Sequence, residues 1–439
     1  MKTEYLIAGA VFAAAAVSTP VRAQQGRIGG PVGIDTGLTE ALTDTQEHLT
    51  QDASYLLRMR KDGRLPSNSL TVSGLFKAGY YYEQTDTAGK YPILSRFPNQ
   101  HGTGKDNSEF VINVAAVSLT GTLTDWITAY AQMEYSEINF ARDQDEVQLR
   151  EYYAVLGNLD VFGGYLAYGR KTVDFGEQFG YNPFTHSINQ HFFWTLADEP
   201  VLELGYVGDT WRVSGTLAEG ERMLRVGMST DRDGGLGTNF ALKAEKSFLL
   251  EGDRSLRVSA SYLDGTIYNN NFTAHTLASI DRPGPPNAPL PPNVYIAYEN
   301  GAWDLGAEYL SPRFDLAVEY TRSTDIWPAT SFNTDTGEKY DGARDLDALS
   351  IMGRYKTEIA GFRTDFSAVW SQSILGPEDT EFDDVYQHVL GAEIHINPYL
   401  DLGAEIVFNE GFQPFVGIQD VSISSVQSQV GILGVTARF

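Results

Sequence analysis

Seven histidines, no cysteine and a surplus of carboxylates limit the chemistry open to this chain. Without cysteine there is no disulfide scaffold, thiolate metal site, iron–sulfur cluster, thiol nucleophile or lipoprotein anchor. His186 and His191 stand five residues apart in a segment, 175 to 200, that also holds Glu177, Asp198 and Glu199. Two imidazoles at that spacing could approach a metal, yet no defined third ligand accompanies them, and no metal or other cofactor is expected. Phe192, Phe193 and Trp194 in the same segment could stack a catecholate or another planar ligand, or could anchor the segment to the fold. No serine–histidine or aspartate–histidine arrangement stands out, so no catalytic residue is assigned and the chain is not expected to be an enzyme.

Most of the charge sits in a different pattern. Trp303-Asp304-Leu305-Gly306-Ala307-Glu308-Tyr309, Leu400-Asp401-Leu402-Gly403-Ala404-Glu405-Ile406 and Ser255-Leu256-Arg257-Val258-Ser259-Ala260-Ser261-Tyr262 alternate apolar with polar at every step. Period two is the signature of strands with one apolar face. In a soluble sandwich the apolar faces would meet in a shared core. Here the polar faces carry many charges and the apolar faces end in Tyr, Trp and Phe, as in the outward band and aromatic girdle of a membrane barrel.

Such segments number sixteen, at about 69–84, 108–120, 125–139, 147–157, 162–174, 201–208, 210–219, 237–248, 255–264, 302–310, 312–324, 346–358, 361–373, 385–397, 399–409 and 428–439. Their connections alternate between tight turns, such as Gly208-Asp209 and Ala360-Gly361, and long ones at 85–107, 175–200, 265–301 and 325–345. An even strand number and this alternation are those of a bacterial outer-membrane barrel. The expected fold is therefore all-β, a transmembrane antiparallel barrel of about sixteen strands spanning 69–439. Barrels of sixteen to eighteen strands leave an aqueous channel.

The termini agree with that reading. Residues 1–23 combine Lys2, an apolar stretch from Leu6 to Val17 and a small-residue cleavage pattern at Val21-Arg22-Ala23, so they are expected to be a signal peptide. At the other end, Gly434-Val435-Thr436-Ala437-Arg438-Phe439 resembles the signal read by the barrel-assembly machinery, with Phe439 as its terminal residue. Between signal and barrel, Leu38, Leu42, Thr45, Leu49, Ala53, Leu56 and Leu57 recur at near-helical spacing until Gly63 and Pro66. One short amphipathic helix is expected within a periplasmic segment, 24–68, serving either as an oligomerisation or plug element or as an arm at the barrel mouth.

Charges facing lipid cost several kcal/mol near the membrane midplane, so strand charges are expected to point into the bore. The inward acids would be Glu134, Glu203, Glu245, Asp304, Glu308, Asp315, Glu319, Asp365, Glu393, Asp401 and Glu405, and the inward bases Arg212, Lys243, Arg257, Arg354, Lys356 and Arg363. Arg150 and Arg170 lie on strands whose parity the pattern does not fix. The wall is acidic on balance, which favours weak cation preference over a phosphate pathway; pairing across strands would instead simply keep the lumen wet. The segment 175–200, with Glu177, His186, His191, Asp198 and Glu199, is the candidate constriction. The net charge of -25 argues against a nucleic-acid partner.

Tyr168-Gly169-Arg170-Lys171-Thr172-Val173-Asp174-Phe175-Gly176, followed by Leu196-Ala197-Asp198-Glu199-Pro200-Val201-Leu202-Glu203-Leu204-Gly205, resembles the corresponding segment of the LbtU family of siderophore porins and, more distantly, phosphate-selective porins. The resemblance is firmest over 147–217. It implies a sixteen-stranded outer-membrane channel and, for its nearest members, passage of a ferric siderophore. Family members often carry an N-terminal coiled coil, which here is reduced to the short helix. The expectation is a porin for passive diffusion of small hydrophilic solutes, in contact with outer-membrane lipid and lipopolysaccharide and trimeric by analogy. The alternatives are a structural or adhesive barrel with a closed lumen and a phosphate-type anion porin.

Overall fold

The structure is a computed structural model that describes residues 25–29, 31–44, 50–88, 104–137, 147–193, 195, 200–219, 236–264, 301–326, 345–374, 384–411 and 425–439. The expected signal peptide, most of the long connections, Trp194, Asp198, Glu199, the proline-rich run 281–292 and the acidic run 378–383 lie outside the described residues, as do the side chains of His191 and Phe192.

Two short strands, β1 (Gln25–Gly29) and β2 (Val32–Asp35), and two helices, α1 (Thr36–Thr43) and α2 (Asp52–Lys61), precede the barrel. The sixteen barrel strands are β3 (Ser69–Thr85), β4 (Asp106–Thr122), β5 (Ile127–Tyr135), β6 (Gln148–Asn158), β7 (Phe162–Arg170), β8 (Val201–Val207), β9 (Trp211–Glu219), β10 (Leu236–Leu250), β11 (Arg254–Leu263), β12 (Ala302–Leu310), β13 (Phe314–Ile326), β14 (Asp345–Ile359), β15 (Phe362–Ile374), β16 (Asp384–Asn397), β17 (Leu400–Gly411) and β18 (Val426–Arg438). Each pairs antiparallel with the next, and β18 returns to β3 from Ser428↔Thr85 to Arg438↔Leu75. All sixteen expected segments are strands, because period-two burial was strong enough to fix them and errors fall only at their ends. Closure leaves no ladder edge, which hydrocarbon would not tolerate.

The alternation runs through every strand. On β12 Asp304 is 1% exposed and Leu305 50%. Outward neighbours form aromatic pairs at the barrel ends, such as Tyr206 stacked on Trp211 at 5.1 Å and Trp303 edge-on to Tyr320 at 5.2 Å. The tight turns are short in the structure too: Ala360 and Gly361 both take positive φ, 53° and 87°, the mirror-type turn that suits the strand twist.

The N-terminal segment differs from expectation. It forms two helices rather than one, because Asp44 is extended and ends α1 while a second helix starts at Asp52. The cap of α1 is Asp35, whose carboxylate accepts from the Gly37 and Leu38 amides at 3.0 and 3.2 Å. Gly63, in the left-handed region at φ 75°, closes α2 as its amide donates to the Arg60 carbonyl.

The C-terminal Phe439 meets Gly74 of β3. Backbone bonds run both ways between them at 3.0 Å, and a side-chain carbon built on Gly74 would overlap the Phe439 ring. Gly74→Leu is therefore expected to cut the yield of heat-modifiable folded barrel several-fold, read by gel shift after refolding into detergent. An undiminished yield would mean that the ring has no fixed seat.

Candidate functional site

The segment after β7 does not stay at the rim; it folds into the bore and is held by the walls around it. The Gly176 amide donates to Ser261 on β11 at 2.9 Å, and the Glu177 and Gln178 amides both donate to Glu319 on β13 at 2.8 Å. The Tyr181 hydroxyl donates to Glu308 on β12 at 2.8 Å, and Ser367 on β15 donates to Asn182 at 3.1 Å. Phe184 and Thr185 amides reach Glu405 on β17. A short helix, α3 (Ile188–Phe192), capped by Ser187, brings Asn189 to Thr321 on β13 at 2.9 Å and to the Ala348 carbonyl on β14 at 3.0 Å. Three of the acids expected to line a passage, Glu308, Glu319 and Glu405, thus bind the loop itself.

The loop has the apolar side that an inward fold requires. Phe179, Tyr181 and Phe184 pack with Tyr81, Val111, Ala317, Met352, Val369, Val389, Val407, Val430 and Ile432 on the inner wall. These aromatics anchor the loop. Of the run Phe192, Phe193 and Trp194 only Phe193 has a described side chain; it is buried, and its carbonyl accepts from Gln178 at 2.9 Å.

Many charges in the bore are paired. Lys171 lies between Asp52 of α2 at 2.9 Å and Glu203 at 2.7 Å, all three buried. Arg212 binds Asp174, and Glu245 lies 3.7 Å away. Lys243 reaches Glu177 at 2.9 Å, and Arg257 reaches Glu177 at 3.1 Å and Glu308 at 2.9 Å. Arg354 and Lys356 share Asp315 at 2.9 and 2.7 Å, while Arg363 holds Asp365 at 2.5 Å. Asp304 accepts from Thr321 at 2.7 Å. Arg150, whose direction the sequence left open, points inward onto Glu134; Arg170 has the outward parity of its cross-strand partner Tyr152.

Burial and charge set the state of the groups outside the strands. Burial alone would lower the Lys171 ammonium, but Asp52 and Glu203 more than reverse this and keep it charged. Burial would raise Glu177; Arg257 and then Lys243 outweigh it and bring it down to about 2. Arg212 likewise holds Asp174 well below the usual carboxylate range against the effect of burial.

Glu393, His395 and Asp401, on β16 and β17 beside a short turn, bring donor atoms within 4.8 Å of one another. Both imidazole nitrogens of His395 already face carboxylates, Asp401 at 2.8 Å and Asp365 at 3.3 Å. Arg363 and Arg438 pair with those acids, so His395, Asp365 and Asp401 are already engaged with one another and with the two guanidinium groups. His186 is buried in the loop.

Sequence reasoning missed Lys77, Lys171, Asp174, Asp44 and Asp52. Period-two reading could have placed Lys77 on the inner face of β3; the others lie outside strands, where no spacing marks them.

No protein-family model matches the chain, and no curated protein does. Among solved structures it is similar to OmpF of Salmonella typhi in complex with daunomycin, at 15% identity over 85% of this chain and 98% of that one, TM-score 0.52. It is similar too to an anion-selective porin from Comamonas acidovorans, at 11% identity over 84% and 99%, TM-score 0.52. A third is the outer membrane channel DcaP of Acinetobacter baumannii, at 13% identity over 84% and 97%, TM-score 0.50. The chain has the porin fold.

Two tests follow from the charge network. Lys171→Met leaves Asp52 and Glu203 facing each other without a cation and is expected to cost about 3–5 kcal/mol, with most of it recovered when Asp52→Asn and Glu203→Gln are added. Urea unfolding in vesicles reads this, and a loss within about 0.5 kcal/mol for the single variant would contradict it. Glu177 has a depressed native pKa, so its contribution is present above the unfolded value of 4.5 and fades as pH falls towards 2. Hydrogen exchange of residues 174–190 should accelerate across that window in the parent and less in Glu177→Gln; equal pH profiles would contradict it.

Proposed function

We propose that this chain is an outer-membrane channel of porin type for passive diffusion of small hydrophilic solutes. The observation that carries the reading is a closed sixteen-stranded barrel, apolar outside and polar inside, whose bore holds the loop after β7. Short turns and the N-terminal segment would face the periplasm and long connections the exterior, since both ends of an even-numbered barrel lie on one side. The outer face would contact lipid and lipopolysaccharide, and a homotrimer is the proposed assembly. The expected pore-lining and constriction residues keep those roles as proposals, through the walls they share with the loop.

Weak cation preference is proposed from the acidic balance of the wall. It is weak because many of the acids are paired and some lie deeper than their partners: Asp315 has a fully buried side chain, whereas Arg354 and Lys356 beside it are 21% and 22% exposed. Passage of a ferric siderophore rests on the resemblance of 147–217 alone. One specific observation favours the second reading, a structural barrel with a closed lumen: loop and helices together occupy the bore.

Planar-bilayer recording of the refolded chain separates them. Stable steps with a slightly cation-selective reversal potential in a KCl gradient support the channel, and ferric siderophores can then be tried as blockers. A folded, heat-modifiable barrel without steps under any condition supports the structural reading, and a clear anion-selective potential overturns the charge argument.

A further inference from the structure

We propose that the N-terminal segment, α1 and α2, is a plug that closes this channel in the structure described and must release its latches before solute passes. The inference rests on the channel reading above.

Its polar contacts reach opposite walls. Asp44 takes the Lys77 ammonium of β3 at 2.8 Å. Thr50 accepts from Lys243 of β10 at 3.0 Å and donates to the Gly176 carbonyl of the inward loop at 2.9 Å. β3 and β10 are seven strands apart in a ring of sixteen, so these contacts bridge nearly the full width of the bore. Asp52 adds the bond to Lys171, which ties the segment to the foot of the loop. The two obstructions are thereby locked to each other.

The apolar contacts are one-sided. Leu38, Leu42, Leu56, Leu57, Met59 and Leu65 pack on Tyr130, Tyr153 and Tyr165 of β5, β6 and β7. One side of the segment is therefore seated on a single stretch of wall, while the remaining contacts are hydrogen bonds and ion pairs that water can replace. Exchanging a buried ion pair for hydrated charges costs little, because the desolvation penalty of the pair is returned.

The barrel does not depend on the segment for its own closure. Every strand from β3 to β18 has two barrel neighbours, and β2 pairs with β3 through two positions, Val32↔Leu70 and Gly33↔Thr71. Withdrawal leaves each wall cation a hydrogen-bond acceptor: Lys171 keeps Glu203, and Lys77, which gives up Asp44 and is hydrated as water replaces the segment, keeps the Pro183 carbonyl at 2.9 Å. A structural core element would show the opposite, with wall groups left unsatisfied when it leaves.

The test compares single-channel steps of three preparations in planar bilayers: the full-length parent, a variant with residues 36–61 replaced by a short Gly-Ser linker, and a full-length Thr43→Cys/Ser118→Cys variant. The two hydroxyls are 3.2 Å apart, and the chain has no other cysteine. The linker variant is expected to give steps several-fold larger or more frequent than the parent. The oxidised cysteine pair should hold the pore shut, with dithiothreitol restoring parental behaviour. Should the linker variant fail to fold, the redox response alone decides. A folded linker variant with parental steps, or oxidised and reduced forms that conduct alike, overturns the plug and leaves the channel standing. A folded barrel with no steps in any preparation overturns both.

Discussion

The hydrogen-bond ladder that returns from β18 to β3 is the constraint on which the structure depends. A backbone amide or carbonyl facing hydrocarbon has no partner, so the sheet must close on itself. Closure sends one set of side chains outward and the alternate set inward wherever the ladder is regular. An acid such as Asp304 next to a leucine such as Leu305 can satisfy lipid only by facing the bore. The same constraint seats Phe439 on Gly74, since the last strand has to find the first.

A ring of sixteen strands encloses more space than its inward side chains fill, and the charges sent into it need partners. Both problems are met by the same pieces of chain. The loop after β7 carries Lys171, Asp174 and Glu177 to Glu203, Arg212, Lys243 and Arg257, and α2 brings Asp52. Buried pairs of this kind add little net stability, yet removing one partner is costly, so they act mainly to fix where the loop and helices lie. Adhesion comes from two apolar patches: the Phe179, Tyr181 and Phe184 cluster for the loop, and the leucine cluster on Tyr130, Tyr153 and Tyr165 for the helices.

The barrel was legible because its signal is repetitive: Asp304 to Tyr309 or Leu400 to Ile406 could be read one strand at a time. Where the period breaks, reading fails. Arg150 sits in a bulge opposite Gln132 and Met133, so it and Glu151 are both buried and neither fits an alternation. Val369, Val389, Val407 and Val430 point inward although apolar residues were expected outside, because the loop aromatics give them a partner that local sequence does not contain. The division of the N-terminal helix has the same cause: Asp44 and Asp52 answer to Lys77 on the wall and Lys171 at the foot of the loop, more than thirty and one hundred residues away. Period-two reading finds the direction of a charge but not its counterion.

The central claim, a lipid-facing exterior around a filled bore, is open to one direct measurement. Because the chain lacks cysteine, single cysteines can be placed in turn at Asp304, Leu305, Gly306, Ala307 and Glu308 of β12, spin-labelled, and their collision rates with oxygen and with a water-soluble nickel chelate measured in vesicles. The account predicts alternation at every step: Leu305 and Ala307 exposed to oxygen, Asp304, Gly306 and Glu308 following the opposite phase with low access to both reagents. Gly306 lies off that simple phase in one respect, since it faces Ser259 across the ladder and the Glu177 side chain of the inward loop, and its label should be the most restricted. Uniform access along the strand, or free access of the chelate to Asp304 and Glu308, would contradict it.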